Sequence, residues 1–255
     1  MANSLDAVWS VATLLAGTVV LRPYVVGFLA FFLGAGTRDL GRARTLGFLL
    51  WGFLVALVAE LSSTRDGLPF GLYHYTGSTA GTELFLSNIP FFSPLSFPFL
   101  AYASFCLARR ALGPGAGRLG LVALSGVLMT LLDVVIDPLA VRGERWFLGH
   151  LFTYPDGGIY FGVPLSNFAG WLLVGWATVG GYVWVAGDSR PGAPEAGIAL
   201  YYLVLLVNLA VTLWIGEFLI AAAGIVVQSG AFLLLYNLSR VTLGRWSAGR
   251  LSVTP

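Results

Sequence analysis

Apolar residues run along this chain in long blocks separated by short polar stretches. The blocks fall at about 5–21, 23–37, 45–61, 91–108, 119–136, 161–186, 197–215 and 217–236. A helix of about 20 apolar residues is long enough to cross a bilayer. The pattern therefore predicts an all-α fold, a polytopic transmembrane helix bundle forming one integral membrane domain over residues 1–255. Seven or eight spans are expected, because Arg22-Pro23 makes the first two blocks either two helices or one bent helix. Only Gly216-Glu217 separates the last two blocks.

Composition agrees with the pattern. Of 255 residues, 57% are hydrophobic and 10% charged, against about 25% charged in a soluble domain. All 14 basic residues are arginine. Without lysine no Schiff base forms, which excludes retinal-binding rhodopsins and pyridoxal enzymes. A phosphate-cradling loop with its lysine is absent too. Cys106 is the one cysteine, so it forms no internal disulfide. Residues 1–21 lack the basic start and small-residue site of a cleavable signal.

The arginines orient the chain. Arg38, Arg42 and Arg44, then Arg109, Arg110 and Arg118, then Arg190, then Arg240, Arg245 and Arg250 fall on alternate connections. Arg22, Arg65, Arg142 and Arg145 fall on the others. The positive-inside rule makes the first set cytoplasmic. The long connections 62–90 and 137–160 then lie at the outer end. An internal echo accompanies this layout. A helix ending in an acid (Glu60, then Asp133) is followed by a long outer loop and by Pro-Leu-Ser at 94–96 and again at 164–166. The echo reads as a duplicated helix–loop–helix unit over 45–108 and 119–186, with a chance coincidence of short tokens as the alternative.

Candidate chemistry gathers at that outer end. Glu60, Asp133 and Asp137 are acids within or at the edge of apolar blocks. Such residues are costly in a bilayer, and they line cavities or pair with partners. Asp133 and Asp137 stand at i and i+4 and share a helix face, with Pro138 expected to end the helix. Two close buried carboxyls do not both ionise readily, and one kept neutral can protonate a substrate. The alternative is structural: an aspartate caps the next loop, and Glu60 pairs with Arg65.

Gly67 to Gly71 predict a turn, after which Tyr73 and Tyr75 alternate about His74 and face one way in an extended segment. They read as an aromatic wall beside the acids or as an interfacial belt. In the stretch from Gly157 to Trp171, Tyr160 precedes Pro164, and Asn167 and Trp171 share a helix face. A buried Asn amide needs partners, and a carboxylate would serve; helix capping is the alternative. His74 and His150 show no ligand spacing, so no metal site is expected.

Glu60-Leu-Ser-Ser-Thr-Arg65, Gly67-Leu-Pro-Phe-Gly-Leu-Tyr73-His-Tyr75, Asp133-Val-Val-Ile-Asp137-Pro138 and Tyr160-Phe-Gly-Val-Pro164-Leu-Ser-Asn167-Phe-Ala-Gly-Trp171 occur in this order. Together they resemble the CruF-type carotenoid hydratases, a family that includes bisanhydrobacterioruberin hydratase and gamma-carotene 1'-hydroxylase. The likeness covers roughly residues 20–240. Gly143-Glu-Arg-Trp146-Phe147 departs from it, since a second Trp is expected near Trp146. The resemblance implies a multi-pass protein of a bacterial or archaeal cytoplasmic membrane that adds water across the terminal 1,2 double bond of an acyclic carotenoid end. It implies no cofactor, a lipophilic carotenoid and the bilayer as partners, and no nucleic acid. Proton donation is assigned to Asp133 and Asp137, and water handling to Glu60 with Asn167. Cation stabilisation falls to Tyr73, Tyr75 and Trp171, with Arg65, His74 and Tyr160 as further substrate contacts. A membrane prenyltransferase and a non-catalytic carotenoid binder or transporter are the rival readings.

Overall fold

The computed structural model describes residues 4–186 and 192–251, with side chains described over 9–186 and 192–240. Arg190 lies outside the described residues, as do the side chains of Arg245 and Arg250. Among the described residues eight long helices follow the apolar blocks: α1 (Ser4–Leu21), α2 (Pro23–Asp39), α3 (Arg42–Asp66), α4 (Phe92–Leu112), α5 (Arg118–Ala140), α6 (Leu165–Ala186), α7 (Glu195–Trp214) and α8 (Phe218–Leu251). Two-residue strands punctuate the long loops: β1 (His74–Tyr75), β2 (Phe85–Leu86), β3 (Ile89–Pro90) and β4 (Phe152–Thr153).

The all-α membrane bundle is as expected, while length and hydropathy alone do not mark seven or eight spans among the described helices. Among the described residues five helices (α3, α5, α6, α7 and α8) are long and apolar enough to cross a membrane, and the α1–α2 pair, bent by 93°, makes a sixth if taken as one span. The bend sits at Arg22, beside Pro23 at the start of α2. α4 misses that standard for a physical reason. Its two prolines, serines and two arginines dilute its hydropathy, yet every residue from Phe97 to Ala108 is buried. A helix enclosed by other helices need not match lipid.

α3, α4, α5 and α6 pack side by side in a closed ring, and α7 and α8 lie against α4 and α5. Close approaches rest on small residues, as in many membrane bundles. Between α5 and α6, a Cβ on Gly175 would stand 3.0 Å from Gly126 Cα.

The connections sort to two ends. At one end Arg109 binds Asp39 Oδ2 at 2.6 Å and the Gly192 carbonyl at 2.9 Å, tying three loops together. At the other, Arg22 bonds Glu83 Oε1 at 2.7 Å and the Leu148 carbonyl at 2.8 Å, and Arg145 reaches Glu217 and the Ile215 carbonyl. There β1 pairs antiparallel with β4, His74 opposite Thr153 and Tyr75 opposite Phe152, so the two long loops close over the bundle together.

Two boundaries differ from expectation. α6 begins at Leu165, after a turn at Phe161-Gly162, both at positive φ. α5 does not stop at Pro138 but runs to Ala140. Proline lacks the N–H that would bond the Val134 carbonyl four residues back. The Tyr160 hydroxyl takes that place, donating to Val134 O at 3.3 Å.

Candidate active site

Glu60 sits one and a half turns before the end of α3. Gly67 ends that helix in the left-handed region at φ 77°, its N–H bonding Ser63 O. The Phe70 N–H then donates to Ser63 Oγ at 2.9 Å, folding the loop back onto its own helix. Phe70 packs against Gly170 of α6, where a Cβ would lie 2.4 Å from the ring. This turn sends Tyr73 and Tyr75 over the bundle, their rings edge to face at 5.5 Å.

Below them lies a cavity open at its mouth, about 1060 Å³ when its solvent-open part is included. Glu60 and Asp137 face it from α3 and α5. Phe28 of α2, Phe99 of α4 and Val204 and Val211 of α7 extend its apolar wall. Phe147, 55% exposed, marks its mouth and meets Tyr24 and Trp146 edge to face, while those two rings are tilted against each other.

The acids have two settings. Glu60, 1% exposed, accepts from Ser93 Oγ at Oε1, 2.7 Å. Tyr75 Oη stands 2.8 Å from Ser93 Oγ and 3.3 Å from Glu60 Oε2. The other setting joins two i, i+4 pairs on facing helices. Asn167 Nδ2 donates to Asp133 Oδ2 and to Asp137 Oδ2, both at 2.7 Å. The Trp171 indole N–H donates to Asp137 Oδ2 at 3.2 Å, and its ring stacks on Phe97 at 4.7 Å. Asp133 is fully buried behind Asp137, and its Oδ1 has no hydrogen-bond partner among the described residues. None of the three acids has an ion-pair partner among the described residues.

Burial, with the nearby Glu60 charge next in weight, holds the Tyr75 phenol well above its ordinary range. Burial does the same to Tyr73 and Tyr154. All three stay neutral hydroxyls at physiological pH.

The structure thus brings Glu60, Tyr73, Tyr75, Asp137, Asn167 and Trp171 to one cavity, with Asp133 directly behind. It places Asn167 on the aspartates and not on Glu60. Glu60 bonds Ser93 and Tyr75, while Arg65 is turned to solvent. His74 is exposed on β1. Tyr160 supports the α5 backbone and is not on the cavity wall. Sequence reasoning missed Ser93, Phe97, Tyr154 and Asn208, all at the cavity. Tyr154 carried a usable signal: Phe152-Thr-Tyr154 repeats the aromatic alternation of Tyr73-His-Tyr75. Asn208 carried none, being a lone amide in an apolar helix whose Nδ2 bonds Val204 O.

Among the described residues no group of three or more His, Cys, Asp or Glu side chains could hold a metal. The fold and site define a helical membrane protein with an acid-lined, aromatic-walled cavity for an apolar molecule. The family model for "Carotenoid biosynthesis protein" matches residues 9–235, and the chain belongs to that family. The chain is also 33% identical over 167 residues to the bisanhydrobacterioruberin hydratase of Haloarcula japonica. That match covers 64% of this chain and 54% of the relative, so the chain spans about half the length of the curated relative it matches. No solved structure matches the chain.

Proposed function

We propose that this protein is a carotenoid 1,2-hydratase, a hydro-lyase that adds water to the terminal double bond of an acyclic carotenoid end. One observation carries the reading: an apolar, aromatic-walled cavity holds two carboxyl groups that have no ion-pair partner among the described residues. A polyene fits such a cavity, and an alkene end needs an acid. Protonation of carbon 2 leaves a tertiary cation at carbon 1, and water attacks that carbon. The hydration is redox-neutral and uses no cofactor. The Haloarcula japonica relative, named a hydratase, supports the same reaction.

In this reading Glu60 and Asp137 are the acids at the reacting end, and Asp133 with Asn167 holds Asp137 in place. Tyr73, Tyr75 and the Trp171–Phe97 stack present ring faces to the cation, which aromatic quadrupoles attract. The diphosphate of a prenyltransferase substrate calls for basic residues, and none adjoins these acids. Arg65 and His74 are left as residues of the outer rim.

We place the protein in a bacterial or archaeal cytoplasmic membrane with the Arg38–Arg44 and Arg109–Arg118 end inside. α2 to α8 then cross it, with α4 as a protein-enclosed span. The duplicated unit is retained as part of this reading: α3–α4 and α5–α6 follow one another around one ring, and their loops meet in the antiparallel β1–β4 pair. Superposition of residues 45–108 on 119–186 in an experimental structure tests it.

Expression of the full chain in a lycopene-producing bacterium, followed by pigment mass analysis, tests the function. A pigment heavier by one water is the expected product. Unchanged pigment that co-purifies with the protein would make it a carotenoid binder instead.

A further inference from the structure

Glu60 and Asp137 face the same cavity with different kinds of partner. Three contacts join Glu60, Ser93 and Tyr75 in a closed ring: Ser93 Oγ to Oε1 at 2.7 Å, Tyr75 Oη to Ser93 Oγ at 2.8 Å, and Tyr75 Oη to Oε2 at 3.3 Å. Each hydroxyl brings one hydrogen and can also accept. Two hydroxyls therefore supply two of the three hydrogens that the ring needs. A proton on the Glu60 carboxyl supplies the third, with Oε2–H donating to Tyr75 Oη. The protonated acid is the state that satisfies the whole ring.

Asp137 needs no such hydrogen. Its Oδ2 accepts from the Asn167 amide and the Trp171 indole. Both are donor-only nitrogens, and hydrogen bonds of this kind favour a charged carboxylate. α3 and α5 stand at opposite corners of the helix ring, so the acid and the anion look at the cavity from two sides.

On the hydratase reading above, we propose that Glu60 is the proton donor and that Asp137 is the fixed negative charge that steadies the cation. Proton donation thus passes from the aspartates to Glu60, which keeps its expected part in handling water. The step balances. The π pair of the double bond takes the Glu60 proton at carbon 2, leaving the cation at carbon 1. A water lone pair then forms the C–O bond, and the proton it sheds returns to the Glu60 carboxylate. Carbon 2 has gained a hydrogen, carbon 1 a hydroxyl, and Glu60 is an acid again. Between the two transfers Tyr75 turns its hydrogen from Ser93 to Oε2, so the carboxylate keeps two hydrogen bonds. No second relay group is needed.

Glu60→Gln is the decisive variant. Its amide N–H supplies the third hydrogen of the ring and preserves all three contacts, yet it has no proton to give. In the full-length protein expressed with lycopene, hydration is expected to fall by about 10³-fold or more. Protein level in the membrane and co-purifying carotene should match wild type, which separates lost chemistry from lost folding. Asp137→Asn keeps an acceptor oxygen for Asn167 and Trp171 but removes the charge, and should lose less, about 10²-fold. Its residual activity should retain the solvent deuterium isotope effect of wild type. The assignment is overturned if Glu60→Gln hydrates within ~10-fold of wild type, or if Asp137→Asn loses more activity than Glu60→Gln at equal protein level. If the wild-type chain hydrates no acyclic carotene, the hydratase reading falls and this assignment with it.

Discussion

The arginine clasps and the cavity bury acids in opposite ways. At the arginine-rich end, Asp39 receives both Arg109 Nη1 and Nη2, at 2.6 and 3.1 Å, with the Tyr102 hydroxyl alongside at 3.2 Å. Its charge is cancelled where it stands, and it ties α2 to α4. Glu83 at the outer end is treated the same way by Arg22, which is itself only 1% exposed. Glu60 and Asp133 are buried, and Asp137 half-buried, with neutral partners instead. A carboxylate paired with arginine holds its charge firmly and is a poor proton carrier. One set among hydroxyls and amides keeps its protonation state open to what enters the cavity. The difference separates acids that hold the fold from acids that act.

The strongest way to break that contrast is to remove Arg109. Arg109→Ala leaves Asp39 buried without its countercharge, and should cost about 3–5 kcal/mol. Thermal unfolding in detergent would show it, and a shift of only a few tenths would mean the clasp is not structural. Asn167→Ala comes next. It strips donors from both Asp133 and Asp137, a loss of about 1.5–3 kcal/mol for hydrogen bonds to charged groups. Here the drop should appear in hydration rate as well as in stability.

Gly170→Ala sharpens the comparison from the packing side. Its Cβ would meet Phe70 Cδ1 at 2.4 Å and Cα at 2.9 Å, an overpacking worth about 1–3 kcal/mol. Loop 67–75 should shift and hydration should fall, whereas unaltered activity would show that the loop does not set the cavity roof. Trp171→Phe keeps the stack on Phe97 and loses one N–H bond to Asp137, about 1 kcal/mol, read as a modest rate loss. Smallest of all, Arg65→Ala and His74→Ala should change stability by no more than about 0.5 kcal/mol and leave the pigment product as in wild type.

Much of this molecule was legible in its residues. Helix positions followed from the apolar blocks, since lipid admits few alternatives to a helix whose backbone bonds itself. The pairing of Asp133 with Asp137, and of Asn167 with Trp171, followed from i, i+4 spacing. The alternate arginines predicted which loops meet. Pro138 misled, because a helix can pass a proline when another group serves the freed carbonyl, and the Tyr160 hydroxyl that does so lies 26 residues further on. α4 misled in the other direction: its dilute hydropathy hides the most enclosed helix of the bundle.

The sequence by itself determined where helices form, which residues lie at the outer end, and that three acids sit where charge is costly. Periodicity and charge are local quantities, and the bilayer turns them into position along one axis. Only the tertiary structure decided who meets whom across that axis. It gave Asn167 to the aspartates and Ser93 with Tyr75 to Glu60, contacts that span 30 to 34 residues in one case and 15 to 33 in the other. Which atoms donate to which carboxyl is a matter of helix rotation and loop closure. No spacing along the chain encodes it, and it separates the proposed acid from the proposed anion.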